Sequence, residues 1–203
     1  MIVKDLGLVD YQTTCEAMQA FTTKRDKFTQ DELWLVEHGP VFTQGLNGKD
    51  EHILNRGDIP VIRTDRGGQV TYHGPGQLIA YTLFDLKRLK MGVREMVSRM
   101  EDSVITMLEQ FAIKANSRVD APGVYVEQRK IAALGLRIKQ GACYHGLSIN
   151  ISMDLLPFNA INPCGYKGME VVDLKSLGHD ISMAEAKQQF LSAFEAQMFK
   201  VEK

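Results

Sequence analysis

Residues 123–151 of this chain read as three strand-like segments, 123–128, 130–138 and 143–151, separated by nothing longer than a turn. Parallel neighbours need a crossover of about a dozen residues, so segments this closely spaced can pair only as an antiparallel meander. Further strand candidates at 33–37, 60–64, 69–72 and 77–86 also arrive in a group, and residues 39–48 between them read as a loop rich in Gly and Pro. Helical spacing is confined to three places. Tyr11, Cys15, Met18 and Phe21 mark a first helix that starts after Asp10 and ends near Lys24. Val93, Met96, Val97, Met100, Val104, Met107, Leu108 and Phe111 mark a second between residues 92 and 115, with Arg94, Glu95, Arg99 and Glu109 on the opposite face. Ser182 and Glu185 have the spacing of a capping box for a third, whose apolar face is Phe190, Leu191, Phe194 and Met198. Strands in groups with few helices predict an α+β fold: a mixed, largely antiparallel sheet with helices packed on it.

No Pro/Gly/Ser-rich break divides the 203 residues, so residues 1–203 are expected to form a single domain. A formal net charge of -1 offers no electrostatic argument for binding nucleic acid or an anionic membrane. The first residues carry Asp5 and Asp10 without a continuous apolar run, and no later stretch approaches the ~18 apolar residues of a membrane span. Cys15, Cys143 and Cys164 are an odd number without C-x-x-C spacing, which suits a reducing compartment better than a disulfide framework. The expected location is the cytoplasm.

Four segments carry chemistry. Arg66-Gly67-Gly68-Gln69-Val70-Thr71-Tyr72-His73-Gly74-Pro75-Gly76-Gln77 has four glycines among polar side chains, which suits either a loop around a ligand or an ordinary double turn. It matches neither a Walker A sequence nor a dinucleotide fingerprint. Arg129-Lys130-Ile131-Ala132-Ala133-Leu134-Gly135-Leu136-Arg137 leaves space beside Lys130, although a lysine at a turn is usually solvated. His145-Gly146-Leu147-Ser148 lies in the next strand. In Asn162-Pro163-Cys164-Gly165, a cysteine sits between two turn formers and beside a glycine N–H, outside the core-filling position most free cysteines occupy. A thiol is only a few per cent thiolate at neutral pH, so a nucleophilic cysteine needs a cation nearby. Lys130, Lys167, His73 and His145 are all candidates, and spacing does not choose among them.

With these segments on view, the chain resembles the bacterial octanoyltransferases of lipoate biosynthesis along nearly its full length. The likeness begins at Leu33-Trp34-Leu35-Val36-Glu37-His38 and Val41-Phe42-Thr43-Gln44-Gly45 and ends at Ile161-Asn162-Pro163-Cys164-Gly165. It implies the fold of the catalytic domains of biotin and lipoate protein ligases. It also implies Cys164 as nucleophile and Lys130 as its charge and proton partner. Substrate contacts are implied at Arg66, Gly67, Gly68, Gln69, Val70, Thr71, Tyr72 and His73, at Ala133, Leu134 and Gly135, and at Gly146, Leu147 and Ser148. Ser148 stands where the resemblance leads one to expect a small residue such as alanine, a mild change to the pocket wall. The reaction implied is transfer of an octanoyl group from the phosphopantetheine of acyl carrier protein to a lysine of lipoyl domains, in 2-oxoacid dehydrogenases and the glycine cleavage H protein. Neither ATP nor a metal is required, and a monomer is expected.

Within this reading, neutral Lys130 is the first choice of base for the second step and His73 the second. The oxyanion donors are expected from backbone N–H groups near Cys164 and near Gly67-Gly68. The small residues Ala133, Gly135, Gly146 and Ser148 are expected to line an acyl slot. Two other readings compete: an ATP-dependent lipoate or biotin ligase on the same fold, and a metal protein using His73, His145 and Cys164. Cys143 and Lys167 are the alternative dyad members. A basic docking face for acidic partners is expected to involve Arg56, Arg63, Arg66 or Arg88.

Overall fold

The computed structural model describes residues 1–200, apart from the side chain of Cys164; the last three residues of the expected domain lie outside the described residues. In chain order the elements are β1 (Ile2–Leu8), α1 (Tyr11–Lys24), β2 (Glu32–Glu37), β3 (Val41–Gln44), β4 (Val61–Arg63), β5 (Val70–His73), β6 (Gln77–Asp85), α2 (Val93–Glu109), β7 (Asn116–Ser117), β8 (Gly123–Val126), β9 (Arg129–Lys139), β10 (Ala142–Asn150) and α3 (Met183–Met198). Seven strands form one sheet in the order β1-β2-β6-β10-β9-β8-β7, and β4-β3-β5 form a second. Among the described residues, β1–β2 and β3–β4 are the strand pairs that run parallel, and Lys130 of β9 makes a single parallel bridge to Val171. The mixed, largely antiparallel α+β architecture expected from the sequence is the one observed.

The meander is as expected, but its turns are made by unusual residues. Glu127 and Gln128 connect β8 to β9, and Gln140 and Gly141 connect β9 to β10, all at positive φ. Positive φ at both central residues is the mark of the turn whose twist matches that of the flanking strands. Tyr125 faces Lys130 and Val124 faces Ala132, so Ile131 is an extra residue in β9 beside Lys130.

Two apolar layers enclose the large sheet. On one side α2 and α3 pack Met96, Met100, Val104, Phe190 and Phe194 against Leu78, Phe84, Leu147 and Ile149. On the other, Tyr11, Cys15 and Met18 of α1 meet Trp34, Ile79 and Tyr81. A third cluster, Phe42, Val70, Tyr72, Phe158 and Ile161, seats the small sheet. The helix ends follow from side chains: Asp10 Oδ1 accepts the Thr13 N–H at 2.8 Å, and both hydrogen bonds of the Ser182/Glu185 box are made.

The sequence reading differs from the structure at four elements, one of them the two-residue β7, which it did not foresee. β1 was not expected; it is an edge strand with one neighbour, and its Lys4 and Asp5 obscure the alternation. β3 lies inside the segment read as a loop, its four residues too short for a periodic signal. α2 stops at Glu109 rather than running toward Ala115, and Ala112 lies at positive φ just beyond it. Among the described residues no helix is long and apolar enough to cross a membrane.

Candidate active site

Lys130 is 3% exposed at the start of β9. Its main chain is held on both sides by the segment that follows the cysteine turn: Lys130 N–H donates to Glu170 O at 2.9 Å, and Val172 N–H donates to Lys130 O at 3.0 Å. This pairing brings the region of Cys164 to the lysine across more than thirty intervening residues, a contact that spacing alone does not reveal. The Lys130 ammonium donates to Pro122 O at 3.1 Å and lies 5.1 Å from the centre of the Tyr125 ring. Gly123 is required here, because a Cβ on it would come 3.0 Å from Lys130 Nζ and 2.8 Å from Ala132 O. Its N–H donates at 2.8 Å to Glu101 Oε1, a buried carboxylate on α2.

The Asn162–Gly165 turn is fastened independently. Asn162 N–H donates to His52 O at 2.8 Å, and Gly165 lies at φ 80°, where a Cβ would come within 3.3 Å of the Gln69 side chain and the His52 ring. Pro163 and Lys130 line one small cavity together with Thr71, Ala133 and Ser148. The side chain of Cys164, where the nucleophile is expected, lies outside the described residues. Cys15 and Cys143 are both buried, and burial pushes both thiols up, that of Cys143 to about 11. Neither is a thiolate at neutral pH.

From Ser148 a larger cavity of about 420 Å³ extends beneath the glycine-rich loop and over β9 and β10. Arg66, Gly67, Gly68, Gln69, Val70, Thr71 and His73 contribute to its lining, as do Ala133, Leu134, Gly135, Gly146, Leu147 and Ser148. Tyr72 is the exception among the expected contacts. Its ring packs 5.5 Å from Phe42 and 5.4 Å from Phe158, in the core of the small sheet. Gly146 has a strict requirement of its own, since a Cβ there would lie 1.9 Å from Ala80 O.

Arg66 holds the loop in shape. Its guanidinium donates to Thr43 O at 2.6 Å, Gln69 O at 2.8 Å and Gly67 O at 2.9 Å. His73 is similarly committed. Its Nδ1–H donates to Gln77 Oε1 at 2.6 Å, and Nε2 accepts from the Thr43 hydroxyl at 3.3 Å. Burial pushes its pKa down to about 3. With both ring nitrogens in use, His73 is not placed to act as the second-choice base, and its role is to brace the loop.

Two of the expected oxyanion donors are also engaged: Gly67 N–H donates to Leu136 O and Gly165 N–H to Asn162 O, each at 2.9 Å. The arginines expected at a docking face are partly committed within the protein. Arg66 is buried, Arg63 pairs with Asp50 at 3.3 Å, and Arg88 pairs with Asp31 at 2.7 Å.

His145 and Asp65 form a pair whose partnership the sequence did not reveal. His145 Nε2–H donates to Asp65 Oδ1 at 2.9 Å, and the Tyr144 hydroxyl donates to the same carboxylate. The His145 bond is the largest influence holding the Asp65 carboxyl well below the usual range, while burial pushes the His145 ring down. With Cys15 these two residues are the metal-capable cluster among the described residues, their ligand atoms within 4.8 Å of one another. That set differs from the His73, His145 and Cys164 considered from sequence.

Comparison with known proteins identifies the family and the fold. The lipoyl protein ligase A/B catalytic domain family matches residues 10–195. An octanoyltransferase of Chromobacterium violaceum is 59% identical over 194 residues, 96% of this chain and 94% of that protein. One from Shewanella denitrificans is 59% identical over 95% of this chain and 85% of its own. Among solved structures, a lipoate-protein ligase A bound with ATP aligns with a TM-score of 0.80 at 15% identity, covering 97% of this chain and 85% of that one. A biotin protein ligase of Aquifex aeolicus in complex with biotin and ATP aligns at 0.62 and 13% identity, covering 98% and 71%. The structural likenesses establish the fold shared with those ligases. The sequence likenesses go further: this chain belongs to the lipoyl protein ligase A/B catalytic domain family and, within it, to the octanoyltransferases.

Proposed function

We propose that the protein transfers an octanoyl group from acyl carrier protein to the lysine of a lipoyl domain, through a thioester on Cys164 assisted by Lys130. The observation that carries this reading is the pairing of Lys130 with residues 170 and 172, together with the small cavity that Lys130 shares with Pro163. An ammonium beside a thiol favours the thiolate, which attacks the incoming thioester carbonyl and expels the carrier thiol. The acyl group is now bonded to Cys164 sulfur, and the carrier leaves with a proton. In the second half, the acceptor lysine must lose a proton as its amine attacks, and neutral Lys130 takes it. One thioester is exchanged for another at little energetic cost. The final amide is far more stable, so the cycle proceeds without ATP or a metal.

The mostly apolar cavity beneath the glycine-rich loop suits the hydrocarbon chain, each buried methylene contributing about 0.8 kcal/mol. The reaction belongs in the cytoplasm, where thiols remain reduced.

The test is acyl transfer from octanoyl carrier protein with ATP and magnesium omitted, followed by intact-protein mass. An octanoyl adduct is expected on the native enzyme and on Cys15→Ala and Cys143→Ala, and absent from Cys164→Ala. An adduct that survives Cys164→Ala, or transfer that depends on ATP, would refute the assignment.

A further inference from the structure

His145 breaks the alternation of β10. Cys143, Leu147 and Ile149 face α2 and α3, and a regular strand would turn residue 145 the same way. Instead His145 adopts φ 62°, and its ring stacks on Tyr144 with centroids 5.0 Å apart and lies 6.3 Å from Tyr81. A non-glycine residue at positive φ within a strand is a local cost that the surrounding structure must offset. Here the backbone turn places a ring that is 1% exposed against the cavity, with Nε2 fixed on Asp65 and Nδ1 buried without a hydrogen-bond partner. An acceptor buried without a partner costs about 1–3 kcal/mol, so this nitrogen, like the backbone turn, is held in place by the contacts around the ring.

Position along the strand supplies the second observation. Ser148 lines both the small cavity that contains Lys130 and the larger one, while His145 lines only the larger. Three residues of strand separate them by about 10 Å, the reach of an extended eight-carbon chain whose carbonyl lies near Lys130. Behind His145 is a separate hollow of about 440 Å³, lined by Asp65 and Tyr144 with Glu16, Gln19 and Lys139. His145 and its carboxylate anchor therefore stand between the two spaces.

We propose that the His145–Asp65 pair is the end wall of the acyl slot and sets the longest chain the enzyme transfers. This rests on the octanoyl-transfer reading and adds the residue that determines specificity. The chain lies along Ser148, Leu147 and Gly146 with its methyl end against the imidazole, and removing the ring joins the slot to the hollow behind it.

The experiment measures transfer of hexanoyl, octanoyl, decanoyl and dodecanoyl groups from carrier protein by the native enzyme, His145→Gly and Asp65→Ala. Glycine at 145 relieves the positive φ, and Asp65→Ala releases the ring without altering the cavity lining, so one variant stands if the other fails to fold. Two further methylenes at about 0.8 kcal/mol each convert to a rise of roughly fifteenfold in the decanoyl-to-octanoyl ratio for His145→Gly. A smaller rise is expected for Asp65→Ala. Octanoyl transfer by the native enzyme with length ratios unmoved in both variants overturns the wall alone. Failure of the native enzyme to transfer octanoyl at all overturns the parent reading and the wall with it.

Discussion

Glu101 illustrates how one residue sets the state of another. Burial pushes its carboxyl up, while the Gly123 N–H and the charge of Lys130 pull it down. By the same coupling, a carboxylate at 101 favours the Lys130 ammonium. Lys130 also faces the Tyr125 ring and Pro122 O, neither of which carries a charge at neutral pH. Glu101→Gln keeps the shape and the acceptor for Gly123 but removes the charge. The alkaline limb of Cys164 acylation against pH is expected to move to lower pH, by less than about one unit. An unmoved limb would reduce Glu101 to a hydrogen-bond acceptor. Lys130→Arg, which keeps a charge but offers no usable base, is expected to lose amide formation more severely than acylation. Single-turnover measurement of the two half-reactions separates these losses, and equal losses would mean that Lys130 supplies charge only.

At the scale of elements, legibility followed the range of the interactions. The meander, the start of α2 and the Ser182/Glu185 box declare themselves within a few residues and were found where expected, whereas the end of α2 was not. Ala133, Gly135, Gly146 and Ser148, expected from sequence as small residues on adjacent strands beside an acyl chain, all line the one cavity. What the sequence hid depends on distant partners: Asp65 meets His145 across 80 positions, and Glu101 meets Gly123 across 22. Tyr72, expected from its motif as a substrate contact, shows a related limit, since its place in that motif does not reveal that its ring packs in the core under β5. Two substitutions test the elements themselves. Ser182→Ala removes the acceptor for the Glu185 N–H and is expected to cost about 1 kcal/mol in urea unfolding. Gly146→Ala forces a Cβ into Ala80 O and is expected to part β10 from β6, with the protein largely lost to the insoluble fraction.

For the molecule as a whole, buried histidines make stability a function of acidity. His38, His73 and His145 are all pushed down by burial, so the folded chain keeps them uncharged where the unfolded chain would protonate them. Below the ordinary histidine value of about 6.5 the unfolded state therefore binds more protons. Stability is fully present above that pH and is lost as pH falls through it toward about 3, the value for His73. Each histidine adds a slope approaching about 1.4 kcal/mol per pH unit. Urea midpoints are expected to be level between pH 8 and 7 and to fall steadily between 6 and 4; a level profile throughout would contradict neutral burial. The same His73 stands in a line of polar contacts from Arg66 through Thr43, His73, Gln77 and Asn150 to Val172, whose N–H holds Lys130. That line works as a strut between the glycine-rich loop over the cavity and the backbone of Lys130 beneath it, so on the octanoyl-transfer reading a displacement of the loop is expected to be felt at the lysine.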